Sequence, residues 1–207
     1  MRSGKHDGHL GAAYAARAPQ QIAAVYDGWA ETYDAEMAKA GYRHPAVGLA
    51  LLARHVPERV GPVLDAGCGT GLLGDWLDIL GFRPLVGLDL SVGMLAVAGR
   101  RGCYDELHNL ALGAPLPFAD GHFAAVICVG VFTTGHVGDE GLAELIRVLR
   151  PGGAMVLTVK TTLWDGGFGA ALVADGALRI VDRTEPYVSM PGEAGTVPSL
   201  AVAARRV

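Results

Sequence analysis

The segment Val63-Leu64-Asp65-Ala66-Gly67-Cys68-Gly69-Thr70-Gly71 constrains this chain more than any other. An apolar run leads straight into three alternating glycines and then into an amphipathic stretch, the order of strand, tight turn and helix. Glycine is needed where the chain turns sharply and a ligand lies against bare backbone that a Cβ would block. The corner is the size of a nucleotide, and Asp65, just before it, offers acceptor oxygens. The spacing Asp-x-Gly-x-Gly-x-Gly departs from the dinucleotide fingerprint Gly-x-Gly-x-x-Gly, whose sixth position here is Leu72. That departure disfavours a dehydrogenase without excluding one.

A second apolar run, Leu85-Val86-Gly87-Leu88, ends in Asp89. A carboxylate about 20 residues past the glycine turn closes the second strand of a β-α-β unit and reaches a ribose. It takes both ribose hydroxyls as charge-assisted hydrogen bonds, which favours an adenosine with a free 2′-OH. The pair of motifs at this spacing says more than either alone.

From Pro62 onward apolar strands alternate with amphipathic helices: strands near 63–66, 84–88, 105–110, 124–129 and 154–159, helices near 72–80, 92–100 and 139–149. Alternation of this kind implies a parallel sheet with right-handed crossovers. Ser91 is placed to cap the second of these helices, and Pro151-Gly152-Gly153 to end the third. Upstream, Ile22, Val25, Tyr26, Trp29, Tyr33 and Met37 recur at three-and-four spacing and predict helix over 20–40, broken in two by Gly28. A further helix is expected from Pro45 to His55. Beyond Lys160 the pattern predicts a short helical piece near 167–174 and then two segments, 178–188 and 199–205, that read as an antiparallel hairpin.

Four blocks in order, LDAGCGTG, GLDLS, LPFADGHF and RVLRPGG, span Leu64 to Gly153. Their combination resembles the class I S-adenosylmethionine-dependent methyltransferases. Within that superfamily VYDGWAETYD, LGAPLP and GVFTTGHV are similar to the Williams-Beuren region methyltransferase-like proteins. The resemblance implies an α/β, Rossmann-like fold: a seven-stranded, mostly parallel sheet with a C-terminal antiparallel hairpin and helices on both faces. It implies a flexible tail over 1–18 and one domain over 19–207, with N-terminal lid helices over 19–56. It implies S-adenosyl-L-methionine as cofactor and S-adenosyl-L-homocysteine as product, with transfer to an O, N or S atom of a small-molecule acceptor.

Composition limits the alternatives. The chain has 207 residues, 51% of them apolar, which suits one globular domain. A formal charge of −4 with scattered lysines and arginines argues against a nucleic-acid backbone or an anionic membrane as partner. No apolar run approaches the roughly 18 residues of a membrane span, and the N-terminus lacks the apolar centre of a secretory signal, so a cytoplasmic monomer or homodimer is expected. Cys68, Cys103 and Cys128 show no C-x-x-C spacing, and His108, Asp120 and His122 form no metal-ligand pattern, so neither a disulfide frame nor a metal is expected.

In open α/β sheets ligands lie beyond the carboxyl ends of the strands, which singles out the turn residues Gly67, Cys68, Gly69 and Gly71 with Asp65, then Asp89, Leu90 and Met94, Leu112 and Gly113, and Val129, as the cofactor side. Where relatives often carry Asp-Ala facing the adenine amino group, this chain has Leu112-Gly113, which leaves adenine to backbone groups there or to Asn109. Tyr26 and Tyr33 face either the cofactor's methionine end, where an aromatic face attracts the sulfonium, or the core; Trp29 reads as packing. Tyr33 and His136 are the catalytic candidates, His136 as a general base with an imidazole suited to neutral pH. Lys160, after the fifth strand, has two readings: a border of the acceptor pocket that pairs with a substrate carboxylate, or a solvated strand-end lysine, the second being the ordinary one. Two other functions stay open: a binding protein for S-adenosylmethionine or S-adenosylhomocysteine that acts through a partner, and a nicotinamide-dependent oxidoreductase.

Overall fold

A computed structural model describes residues 8–16, 18–56, 58–133 and 137–207. In chain order the elements are α1 (Gly8–Ala15), α2 (Pro19–Ala40), α3 (His44–His55), β1 (Val60–Ala66), α4 (Gly74–Ile79), β2 (Arg83–Asp89), α5 (Val92–Arg101), β3 (Glu106–Asn109), β4 (Phe123–Phe132), α6 (Leu142–Val148), β5 (Leu149–Lys160), β6 (Leu178–Arg183) and β7 (Ser199–Arg206). The seven strands lie in the order β3-β2-β1-β4-β5-β7-β6. β1 pairs in parallel with β2 and β4, β2 with β3 and β4 with β5, whereas β7 runs antiparallel to both β5 and β6. This is the expected sheet with its terminal antiparallel pair. The strand order reverses between β1 and β4, and the crevice beyond their carboxyl ends is where such sheets hold ligands.

Strict alternation along the strands builds two cores, since successive side chains point to opposite faces. Leu64, Ala66, Val86, Leu88, Val126, Cys128, Met155 and Leu157 meet Leu142, Leu145 and Val148 of α6 on one face. Val63, Leu85, Ala125, Ile127 and Val156 meet Leu51 and Leu52 of α3 and Leu77 of α4 on the other. Each of these larger side chains, removed wholly from water, contributes about 1.5–3 kcal/mol.

α2 differs from its expected form. It runs unbroken for 22 residues from Pro19 at its first turn to a left-handed Gly41 at its end. Gly28 faces solvent with nothing within 4 Å of where a Cβ would sit. The roughly 1 kcal/mol that an exposed helical glycine costs is outweighed by the burial of Trp29, Ala30, Met37 and Ala40. Residues 8–15, expected within a flexible tail, form α1, because Ala13 and Leu10 pack against Trp29, Met37 and Met190.

Two further boundaries shift. Pro151-Gly152-Gly153 does not end the helix but lies inside β5, where it makes an irregularity: Leu149 pairs Phe123 and Ala154 pairs Ala125, so residues 149 to 154 stand against 123 to 125. The expected helix at 167–174 is a run of short helical turns from Thr161 to Ala171, kinked at Gly167 with φ 119°. Past Arg183 the first hairpin strand gives way, and Tyr187 alone bridges to Ser199. Among the described residues no helix is long and apolar enough to cross a membrane, and no cluster of His, Cys, Asp and Glu is suited to a metal ion.

Candidate active site

The turn after β1 is fixed by backbone. Gly67 N and Cys68 N both donate to Leu88 O, at 2.8 and 2.9 Å, tying the loop to the end of β2. Gly67 has φ 79°, and a Cβ on it would stand 2.3 Å from Val131 Cγ2, so only glycine fits. Gly69, at φ 55°, has nothing within 4 Å of its missing Cβ and leaves the loop open toward the crevice.

Asp89 locks this loop to the next helix. Its Oδ2 accepts from Gly69 N at 2.9 Å and its Oδ1 from Ser91 N at 2.8 Å. Burial raises its carboxyl above the usual range, against the pull of those N–H groups. Leu90 N–H adds to that pull, and a carboxylate accepts about four hydrogen bonds in all. Ser91 caps α5 as expected, its Oγ accepting from Met94 N at 3.0 Å. The Asn109 side-chain amide donates to Asp89 O and Leu90 O, at 3.0 and 2.8 Å, and so has only its oxygen left for a ligand.

α2 closes over the loop. Asp27 Oδ1 accepts from Ser91 Oγ at 2.6 Å and Gly93 N at 2.8 Å, and Arg100 Nη2 donates to Glu31 at 2.8 Å. Asp34 is held by the Thr70 hydroxyl and the Arg101 guanidinium, which also pairs with Asp75. The helix that carries Tyr26 and Tyr33 is thereby latched to the glycine turn and to α5. Ser91 was legible only as a cap and Asp27 only as a letter of the VYDGWAETYD block; no sequence signal joins them.

Of the residues singled out from sequence, Tyr26, Tyr33, Gly67, Gly69, Asp89, Leu90, Met94, Leu112 and Val129 line one cleft. Gly130 and Val131, which open the GVFTTGHV block, line it too, as do Tyr42, Leu110 and Glu140, which carried no sequence signal. Four others do not reach it. Asp65 is 1% exposed and turned away, Oδ2 accepting from Tyr104 at 2.7 Å and Oδ1 unpartnered; burial pushes its carboxyl up to about 7. The Cys68 thiol is buried, which raises its pKa and leaves it unreactive. Gly71 backs onto Arg101 and Tyr104, and Gly113 onto Glu140. His136 lies outside the described residues.

A smaller recess opens beside the cleft and shares Tyr26, Tyr33, Tyr42 and Gly130 with it. Tyr33 is hydrogen-bonded to Tyr42, and Trp29, 1% exposed, packs edge-on to Tyr33 with centroids 4.9 Å apart. His44 Nδ1 and Tyr187 Oη are 2.7 Å apart, and burial, helped by Lys160, lowers the imidazole to about 3. Lys160 corrects its expected place: it is 6% exposed, because segment 189–198 covers the end of β5, and burial lowers its amine to about 8.

Residues 64–157 match the family model described as Methyltransferase domain. Human Methyltransferase-like protein 27 is 40% identical over 142 residues, 66% of this chain and 56% of that protein. Malonyl-[acyl-carrier protein] O-methyltransferase of Serratia marcescens is 35% identical over 145 residues, 67% of this chain and 52% of that protein. The chain thus spans about half the length of these curated relatives. Among solved structures, the Burkholderia thailandensis 1,6-didemethyltoxoflavin-N1-methyltransferase superposes with TM-score 0.64 at 18% identity, over 92% of this chain and 91% of that one. The [4+2]-cyclase SpnF superposes with TM-score 0.68 at 18% identity, over 92% and 97%. The sheet with its antiparallel end and these matches identify residues 64–157 as a methyltransferase domain with the fold of the class I S-adenosylmethionine-dependent methyltransferases.

Proposed function

We propose that the chain holds S-adenosylmethionine in this cleft and transfers its methyl group to an O, N or S atom of a small-molecule acceptor. The observation that carries the reading is Asp89, at the carboxyl end of β2, fixed against the cleft by Gly69 N and Ser91 N. The residues suit the cofactor. The bare backbone at Gly69 leaves room for an amino-acid moiety, Asp89 offers carboxylate oxygens to the ribose hydroxyls, and Leu90, Met94, Leu110 and Leu112 give apolar walls for a purine. The bound cofactor supplies an electrophilic methyl group on a sulfonium.

What the protein adds is alignment and dryness. Tyr26 and Tyr33 on the latched α2 close the end of the cleft next to the recess, keeping water from the acceptor and presenting aromatic faces to a cation. Holding an acceptor atom in line with the methyl group is a proximity effect and requires no metal. A small acceptor fits the absence of a basic stripe and the modest net charge of −4.

A second reading, binding without methyl transfer, is favoured by the likeness to a fold named as a cyclase, since fold alone does not set chemistry. Calorimetric titration with S-adenosylmethionine, S-adenosylhomocysteine and NAD, followed by incubation of metabolite extracts with methyl-labelled cofactor, separates the readings. Binding of the first two with label in a small molecule is expected. Binding without label transfer favours the second reading, and preference for NAD overturns both.

A further inference from the structure

Lys160 has the surroundings of an anion site rather than of a structural lysine. Its ammonium has three N–H donors. One goes to Val197 O at 2.9 Å and one to Ser189 Oγ at 3.3 Å, both neutral oxygens. Among the described residues no Asp or Glu pairs with it, and its neighbour His44 is neutral and committed to Tyr187. A buried cation with neutral partners is expensive to desolvate and is normally compensated by an opposite charge.

The recess that Lys160 lines carries hydroxyl, indole and ammonium donors, and no Asp or Glu is among its described lining. Thr158 Oγ1 accepts from Gly130 N at 2.7 Å and keeps its own O–H to donate. Tyr42 and Thr158 line the same wall as Lys160, and Met190 and Phe132 close the apolar side. The recess holds about 40 Å³. At roughly 10–15 Å³ for each water-sized group, that is room for about three heavy atoms, the count of a carboxylate and short of the five of a phosphate. Tyr26, Tyr33, Tyr42 and Gly130 border both cavities, so the recess adjoins the end of the cleft.

We propose that this recess binds the carboxylate of the methyl acceptor, with Lys160 as its counter-ion, so that the enzyme acts on small carboxylic acids. The proposal rests on the cofactor reading of the adjoining cleft. The anchor sets specificity: the carboxylate is held at Lys160 while another part of the molecule reaches the methyl group.

The test uses the full chain, with and without saturating S-adenosylhomocysteine, and three calorimetric probes: phenylacetate, phenylacetamide and phenyl phosphate. Phenylacetate is expected to bind about ten- to a hundredfold more tightly than its amide, the range for hydrogen bonds to a charged group, and more tightly than the phosphate. Lys160→Met should abolish that preference and leave S-adenosylhomocysteine affinity within about twofold. Should that variant fold poorly, Thr158→Val, which keeps the charge, is expected to weaken phenylacetate severalfold while the amide stays unchanged. Equal affinity for acid and amide overturns the proposal, as does tighter binding of phenyl phosphate, or an unaltered preference in Lys160→Met. Failure of S-adenosylhomocysteine to bind strikes the cofactor reading instead, and the comparison of acid with amide on the free protein still decides Lys160.

Discussion

Replacing Asp65 by asparagine should make the protein more stable, and increasingly so as pH rises. Asp65 is 1% exposed with one partner, Tyr104, and an unpartnered Oδ1; burial, reinforced by the nearby Asp89 and opposed by Tyr104, lifts its carboxyl from 3.8 to about 7. Between those values the native state binds a proton that the unfolded chain has released. Stability is therefore highest below the unfolded pKa and is lost as pH rises through the window from about 4 to 7. A shift of about 3 units amounts to about 4 kcal/mol at full ionisation, an upper bound because the native state can relax around the charge. Asparagine cannot ionise, so the advantage of Asp65→Asn should grow from near zero at about pH 3 to about 2–4 kcal/mol at about pH 8. For a domain of this size that is about 4–16 °C in Tm. Urea denaturation of both proteins at pH 5, 6, 7 and 8, followed by far-UV circular dichroism, measures it. Curves that stay parallel across the range refute a buried, raised carboxyl at this position.

Three further outcomes follow from the geometry. Asp89→Ala should weaken S-adenosylhomocysteine binding by about 1.5–3 kcal/mol, from the loss of charged hydrogen bonds, and unchanged calorimetric affinity would remove Asp89 from the site. Gly67→Ala forces a Cβ to 2.3 Å from Val131 at φ 79° and should cost about 1–3 kcal/mol in urea denaturation; an unaltered midpoint contradicts the tight turn. His44, held down to about 3 chiefly by burial and then by Lys160, should show no titration in its NMR ring resonances between pH 5 and 8. Because the unfolded ring takes up a proton near 6.5 and the native ring does not, His44 contributes a loss of stability as pH falls below about 6.5. A native midpoint near 6.5 would show that the ring is solvated.

Much of the sheet was legible because parallel strands buried on both faces read as unbroken apolar runs, as at Leu85–Leu88 and Ala124–Val129. The glycine spacing and the acid after β2 located the cleft for the same local reason. Which acid faces it needed strand parity: Asp65 shares the face of Val63, which points to the α3 and α4 side, whereas Asp89 ends its strand where the backbone turns into the crevice. Contacts between distant segments left no trace in the sequence. Lys160 looked solvated because the residues that cover it, Ser189 and Val197, come about 30 to 40 residues later and from an irregular loop. α1 looked like a tail because its Gly- and Ala-rich sequence has little amphipathic pattern; its order comes from packing on Trp29 and Met190.

All that is proposed for the cleft depends on the Gly67–Gly71 turn and Asp89 together gripping one sulfur-bearing nucleoside. A crystal structure of the full chain grown with S-adenosylhomocysteine tests it most directly. Ribose hydroxyls are expected within hydrogen-bond distance of both Asp89 oxygens, the purine between Leu90 and Leu112, and the thioether end near Tyr33. Density for the compound at another place, or a cleft left empty at saturating concentration, contradicts it.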